Sequence, residues 1–192
     1  MSEPRGYGQT LLALVTLLVT VVGAGVAFLE YRHAQQRERI ERVFGYSDRL
    51  AGQADANARI SKLSDDFLLL WPSLAQSLGP DAKDSDIEKL ANDWFIGAIN
   101  GDPALRSAVE QMAQFYDTLA VCVTQNLCDE PTAKALFMQN VASFASTAYP
   151  WVAHRNKEYF AATGTQALCL RNRFCGGETE CAGLPKQLAP CQ

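Results

Sequence analysis

Between Thr10 and Leu29 the chain runs for twenty residues without a charge, and the stretch that follows carries Arg32, Arg37, Arg39 and Arg42. At a helical rise of about 1.5 Å per residue, such a run spans about 30 Å, the thickness of a bilayer's hydrocarbon core. Inside hydrocarbon a lone segment can satisfy its backbone polar groups only as a helix. The expected organisation is an N-terminal tail over 1–9, a transmembrane helix over 10–30, a helical stalk and bundle over 31–163, and a Cys-rich irregular tail over 164–192.

A secretory signal peptide is the competing reading, with a cut after Ala24 and Val22 three residues from the bond. Against it, Arg5 is the only cation of the n-region and lies near Glu3. The apolar run also exceeds the roughly 7 to 15 residues of a usual h-region and continues through Val26, Phe28 and Leu29. An uncleaved single-pass anchor is therefore expected, with Tyr31 and His33 at headgroup depth. Within it Thr16, Thr20, Gly23 and Ala27 fall at spacings of four, three and four. This stripe of small side chains either admits a partner helix or simply faces lipid.

The chain is acidic, with a net charge of −4, and has no Lys/Arg-rich stretch beyond the juxtamembrane one, which argues against nucleic acid as a partner. Glu30, Glu38 and Glu41 interleave with the arginines, so that segment reads as a solvated helix face rather than a lipid-recognition site. Roughly 160 residues outside the bilayer suffice for one domain.

Periodicity beyond the anchor is helical almost throughout. Ile40, Val43, Phe44, Leu50, Ala54 and Ala58, then Ile60, Leu63, Phe67, Leu70 and Leu74, predict a long helix leaving the membrane, with a bend near Gly45, Gly52 or Pro72 and an end around Gly79. Ser85 and Glu88 read as a capping box opening a second helix that buries Leu90, Trp94, Phe95 and Ile99. Asp102 and Pro103 open a third, with Leu105, Val109, Met112, Phe115, Tyr116, Leu119 and Val123 inward and Asn126 as its C-terminal cap. Asp129, Glu130 and Pro131 open a fourth, with Ala135, Leu136, Val141, Phe144 and Ala145 inward, and Pro150 is expected to kink or break it before a last segment over 151–162. The fold class is all-α, an antiparallel bundle on a membrane-anchored stalk.

The stretch Gln114-Phe115-Tyr116-Asp117-Thr118-Leu119-Ala120, then Asn126-Leu127-Cys128-Asp129-Glu130, then Phe144, Trp151 and Arg155, resembles a bacterial family of single-pass, membrane-anchored helical proteins of unknown function. The resemblance covers about half of the chain. It implies the helical fold and the anchor, in a bacterial inner membrane, and assigns no catalytic residue. The chain departs from the pattern with Asp117 in place of a glutamate and with its cysteine-rich tail. Asp117 and Arg155 are expected to pair across neighbouring helices as a structural contact.

Six cysteines, an even number, point to disulfides: Cys122, Cys128, Cys169, Cys175, Cys181 and Cys191. The tail spacings are not those of common zinc sites, and no Cys-x-x-Cys-His haem motif occurs, so no metal or cofactor is expected. Along a continuous helix Cys122 and Cys128 would stand about 9 Å apart, out of disulfide reach. If they pair, the chain turns near Asn126; otherwise Cys128 reaches the tail. Disulfides need an oxidising compartment, whereas four arginines after the anchor against one before it place the bundle in the cytoplasm by the positive-inside rule. The cysteines carry the greater weight, which puts the bundle on the periplasmic or external side.

No Gly-rich phosphate loop, Gly-x-Ser-x-Gly elbow or His-Glu-x-x-His occurs. His154, between Trp151 and Arg155, reads as an interhelical hydrogen-bonding residue, and Trp71, Trp94 and Trp151 as core. A thiol-redox role has no Cys-x-x-Cys pair to support it. The expected function is non-enzymatic: an accessory or scaffold subunit of a bacterial membrane complex, bound to other integral-membrane subunits or self-associated. The alternative is a stand-alone membrane-anchored sensor or defence-type protein with a ligand-binding bundle.

Overall fold

A computed structural model describes residues 6–79, 82–159 and 163–176. Every regular element among them is an α-helix: α1 (Gly6–Ala51), α2 (Ala54–Leu78), α3 (Asp84–Gly101), α4 (Pro103–Thr124), α5 (Glu130–Tyr159) and α6 (Thr165–Phe174). Helix α1 is long and apolar enough to cross a membrane, and none of its most apolar window is covered by the rest of the protein. Its last turns belong to the domain instead, where Val43 is completely buried and Tyr46 meets Phe115 edge to face with 5.9 Å between ring centroids.

The helix breaks at Gly52, one of the three bend positions expected, while Gly45 and Pro72 remain inside helices. Gly79, at φ 78° and ψ 171°, ends α2 in an extended positive-φ conformation that glycine adopts without steric cost. Two expected boundaries differ. The cap of α3 lies upstream of Ser85 and Glu88: the Lys83 backbone N–H donates to the Asp86 carboxylate at 3.2 Å, and Lys83 is the residue before the helix. Pro150 neither breaks nor ends α5. Burial of Ala148, Trp151 and Val152 on both sides of it outweighs the roughly 3 kcal/mol that a proline costs inside a helix.

Helix α4 is the centre of the core. Val109, Met112, Ala113, Tyr116 and Leu119 on it are completely buried, and it packs against α2, α3, α5 and α6. Asp102 caps it, accepting from the Ala104 and Leu105 N–H groups at 2.8 and 3.2 Å, with Pro103 in the first turn as expected. Helix α5 turns Ala133, Phe137, Val141 and Phe144 inward, whereas Leu136, expected in the core, is exposed, as are Phe44 on α1 and Leu70 on α2.

The α4–α5 turn answers the question posed by Cys122 and Cys128. They form a disulfide with Cα atoms 5.2 Å apart. Asn126 sits at φ 55°, the Leu127 N–H bonds the Cys122 carbonyl at 2.9 Å, and the Asn126 N–H bonds the Val123 carbonyl at 3.1 Å. This is a Schellman ending with asparagine in the left-handed position, and it folds Cys128 back onto Cys122. Closing so short a loop contributes about 2 kcal/mol. Asp129 then caps α5, accepting from the Thr132 N–H at 3.0 Å and the Thr132 hydroxyl at 2.6 Å.

The larger correction concerns the tail expected to be irregular from residue 164. Residues 165–174 form α6, and Ala167, Leu168, Leu170 and Phe174 are core residues packed on α4 and α5. Gly164 precedes α6 at φ 84°, and a Cβ there would lie 3.0 and 3.1 Å from the two Val152 methyls. Strain and contact thus coincide at this glycine. Gly164→Ala is expected to lower the unfolding free energy by about 2–3 kcal/mol, read as a lower urea midpoint at unchanged slope.

Candidate functional site

A cleft of about 740 Å³ opens between the end of α3, the start of α4 and the last turns of α5. Trp151 forms one wall, and its indole N–H donates to Asn100 Oδ1 at 2.9 Å. Arg155 lies over the Trp151 ring, 5.0 Å from its centroid, and donates to Glu110 Oε1 at 2.7 Å. His154 Nε2 stands 3.3 Å from the Glu158 carboxylate one turn along the same helix. Arg106 and Glu158 line the opening. The Arg155–Glu110 pair ties α5 to α4, His154–Glu158 runs along α5, and Arg106 adds a further cation to the lining. Such a surface is suited to recognising a polar group.

Three expectations meet their outcome around this cleft. Arg155 does pair across helices, but with Glu110 instead of Asp117. His154 bonds within its own helix and makes no interhelical bridge to Glu158. Trp151 is core, whereas Trp71 is part of a half-buried aromatic group in which Phe67 lies 5.5 Å from Trp71 and 5.1 Å from Trp94.

Asp117 has a different task. Its two carboxylate oxygens accept the Gly164 N–H at 2.6 Å and the Ala167 N–H at 2.8 Å. Gly164 has no side chain to cap α6, so an acid from α4 satisfies the orphan donors of that helix's first turn. Burial raises the Asp117 pKa above its ordinary value, and the backbone donors pull it back. Neighbouring Tyr116 is buried against Phe144, 5.1 Å between centroids; among the described residues its hydroxyl has no hydrogen-bond partner, and burial pushes its pKa up.

The far end of α6 is tied down by a contact that sequence reasoning missed. Arg173 grips Glu130 through two bonds, Nε to Oε1 at 2.6 Å and Nη2 to Oε2 at 2.7 Å. Only the acid in the first turn of one helix and a cation in the last turn of another signalled it. Beside it Arg171 is buried, with Nη1 donating to Asn172 Oδ1 at 3.2 Å and burial pulling its pKa down.

Of the cysteines, Cys122 and Cys128 bond to each other, and Cys169 and Cys175 are also disulfide-bonded. Cys181 and Cys191 lie outside the described residues. Among the described residues no group of three or more His, Cys, Asp or Glu is placed to hold a metal ion. Thr16, Thr20, Gly23 and Ala27 share one face of α1 and are exposed; the Thr20 hydroxyl donates back to the Thr16 carbonyl at 2.8 Å.

No family model, curated protein or solved structure matches this chain.

The Glu130–Arg173 pair gives a pH prediction. The Arg173 hydrogen bonds hold the Glu130 carboxyl below its ordinary 4.5, so its contribution to stability is full above that pH and is lost as pH falls through the lower, folded-state value. Asp117, shifted upward, has the opposite sign and partly offsets this loss. With both groups partly exposed, the pair contributes at most about 1 kcal/mol. Chemical denaturation of wild type and Glu130→Gln across the acid range is expected to show a stability difference at neutral pH that closes below pH 4.5.

Proposed function

We propose that the chain is a non-enzymatic, single-pass membrane protein of the bacterial type it resembles, acting as an accessory or scaffold subunit beside other integral-membrane helices. The observation that carries this reading is the division of α1 into two faces. At about 100° per residue, Val43, Tyr46 and Leu50 fall within about 40° of one direction, and on them α1 holds its own domain. Thr16, Thr20, Gly23 and Ala27 fall between about 120° and 180° away from that direction. The small-residue stripe is therefore left open on the side the domain does not occupy, where a partner helix can approach closely.

The helices after α1 form the antiparallel bundle of this reading, with the Cys122–Cys128 turn toward the membrane and the Trp151 cleft at the opposite end. The disulfide bonding of Cys122, Cys128, Cys169 and Cys175 supports a periplasmic or external location. Leu68 and Leu69, 64% and 80% exposed on α2, supply an apolar contact for a partner's soluble face. A second reading, a stand-alone protein sensing a polar ligand, is favoured by the cleft around Trp151 and Arg155, whose volume is that of a small-molecule site.

Extraction of the tagged full chain from native membranes in mild detergent, followed by native electrophoresis and mass spectrometry, separates the two. The accessory reading expects a stoichiometric larger assembly that Gly23→Leu disperses and Leu18→Phe, on the domain-side face, leaves intact. Migration of the wild type alone would discard it and direct attention to the cleft.

A further inference from the structure

A second groove, about 550 Å³, lies where α1 meets the α4–α5 turn, lined by Leu29, Arg32, His33, Gln36, Arg39 and Asp129. In sequence the arginines and glutamates of this segment alternate, which suggests a neutral, solvated surface. On the helix they separate. At about 100° per residue, Gln36 and Arg39 fall within about 40° of Arg32, whereas Glu30 and Glu41 fall about 160° and 180° away. Glu38, off this face, is bound to Arg42, and Arg42 also donates to the Leu127 carbonyl of the turn at 3.4 Å. The face toward the domain is therefore cationic, and the turn closes over it: the Asp129 backbone N–H points to the Arg39 carbonyl at 3.4 Å.

We propose that this groove seats the headgroup of an anionic phospholipid carrying free hydroxyls, its phosphate held by Arg32 and Arg39. The proposal rests on the membrane-anchored reading of α1. With residues 10–30 in the bilayer, Arg32 stands at the edge of the hydrocarbon and Arg39 about 10 Å above it. Side chains on a helix lean toward its N-terminus, which here is the membrane side, so the Arg39 guanidinium reaches down to headgroup level, and Arg32, snorkelling out of the hydrocarbon, comes up to meet it. The Arg32 guanidinium lies over Phe28, 6.0 Å from its ring centroid, and seating a phosphate swings it from there toward Arg39. Leu29 at the floor of the groove meets the first acyl carbons, and Gln36 offers the phosphate a further donor. Asp129 keeps one carboxylate oxygen on Thr132, and its other oxygen suits a hydroxyl donor, which a glycerol headgroup supplies.

The test uses the full chain in nanodiscs of phosphatidylcholine with a minor fraction of phosphatidylglycerol, read by native mass spectrometry of the lipid retained on the released protein. Phosphatidylglycerol is expected to be retained selectively, and Arg32→Gln with Arg39→Gln to reduce its retention about tenfold or more. Arg37→Gln, on the other side of the helix, is expected to leave it unchanged. Equal losses in Arg37→Gln, retention of phosphatidylcholine as readily as phosphatidylglycerol, or preference for phosphatidylethanolamine when that lipid is added would overturn the proposal. Displacement of the lipid by excess inorganic phosphate would reassign the groove to a soluble anion. An alkaline wash of native membranes keeps the two levels apart: release of the protein would overturn the anchor and the lipid site together, whereas a firmly embedded protein without lipid preference would overturn the lipid site alone.

Discussion

A single helix that is apolar and exposed along one half and anchors its last turns in a protein core at Val43 imposes the order of everything else in this molecule. In α1 the change takes place within about four turns, from Leu29, exposed, to Val43, completely buried. Tyr46 meets α4, its ring on Phe115 and its hydroxyl directed at the Thr118 carbonyl, and the turn after α4 bonds back to Arg39 and Arg42. That turn has a fixed shape because three independent devices agree: a left-handed Asn126, a Schellman hydrogen-bond pair and the Cys122–Cys128 disulfide. Local consistency of this kind stiffens the joint between anchor and domain.

The rest of the domain is organised around α4, and its second joint is Asp117. A carboxylate on one helix capping the start of another ties α6 to the centre of the core, while Arg173 and Glu130 tie its other end to the start of α5. Burial of an acid is tolerated at Asp117 because its charge meets backbone N–H groups at a helix N-terminus. The Trp151 cleft and the Arg32–Arg39 groove lie on different parts of this frame, one at the start of α4 and the other beyond its end. In the proposed reading the first faces away from the membrane and the second touches it.

Much of this was legible in the residues. Asp102-Pro103 and Asp129-Glu130-Pro131 carry cap chemistry that depends only on near neighbours, and both open helices where expected. The apolar run of α1 is equally local. What escaped depends on tertiary partners. Pro150 reads as a breaker until the packing of Trp151 and Val152 is known, and α6 reads as irregular because its cap, Asp117, is 47 residues from Gly164. Asp117 and Arg155 form a natural pair on paper, yet Arg155 had a closer acid in Glu110 and Asp117 a stronger set of donors in α6. The alternating charges of residues 30–42 show the same limit, because composition hides a separation that helical geometry makes plain.

Insertion of α1 up to about residue 30, with the domain held just above the surface, is tested most directly by nitroxide scanning of residues 14–43 in lipid bilayers, with oxygen and an aqueous nickel chelate as paired relaxers. Insertion predicts oxygen-dominated relaxation on all faces through Leu29, a switch to the chelate between residues 30 and 33, and loss of access to both at Val43. Chelate access throughout residues 14–29 would contradict it.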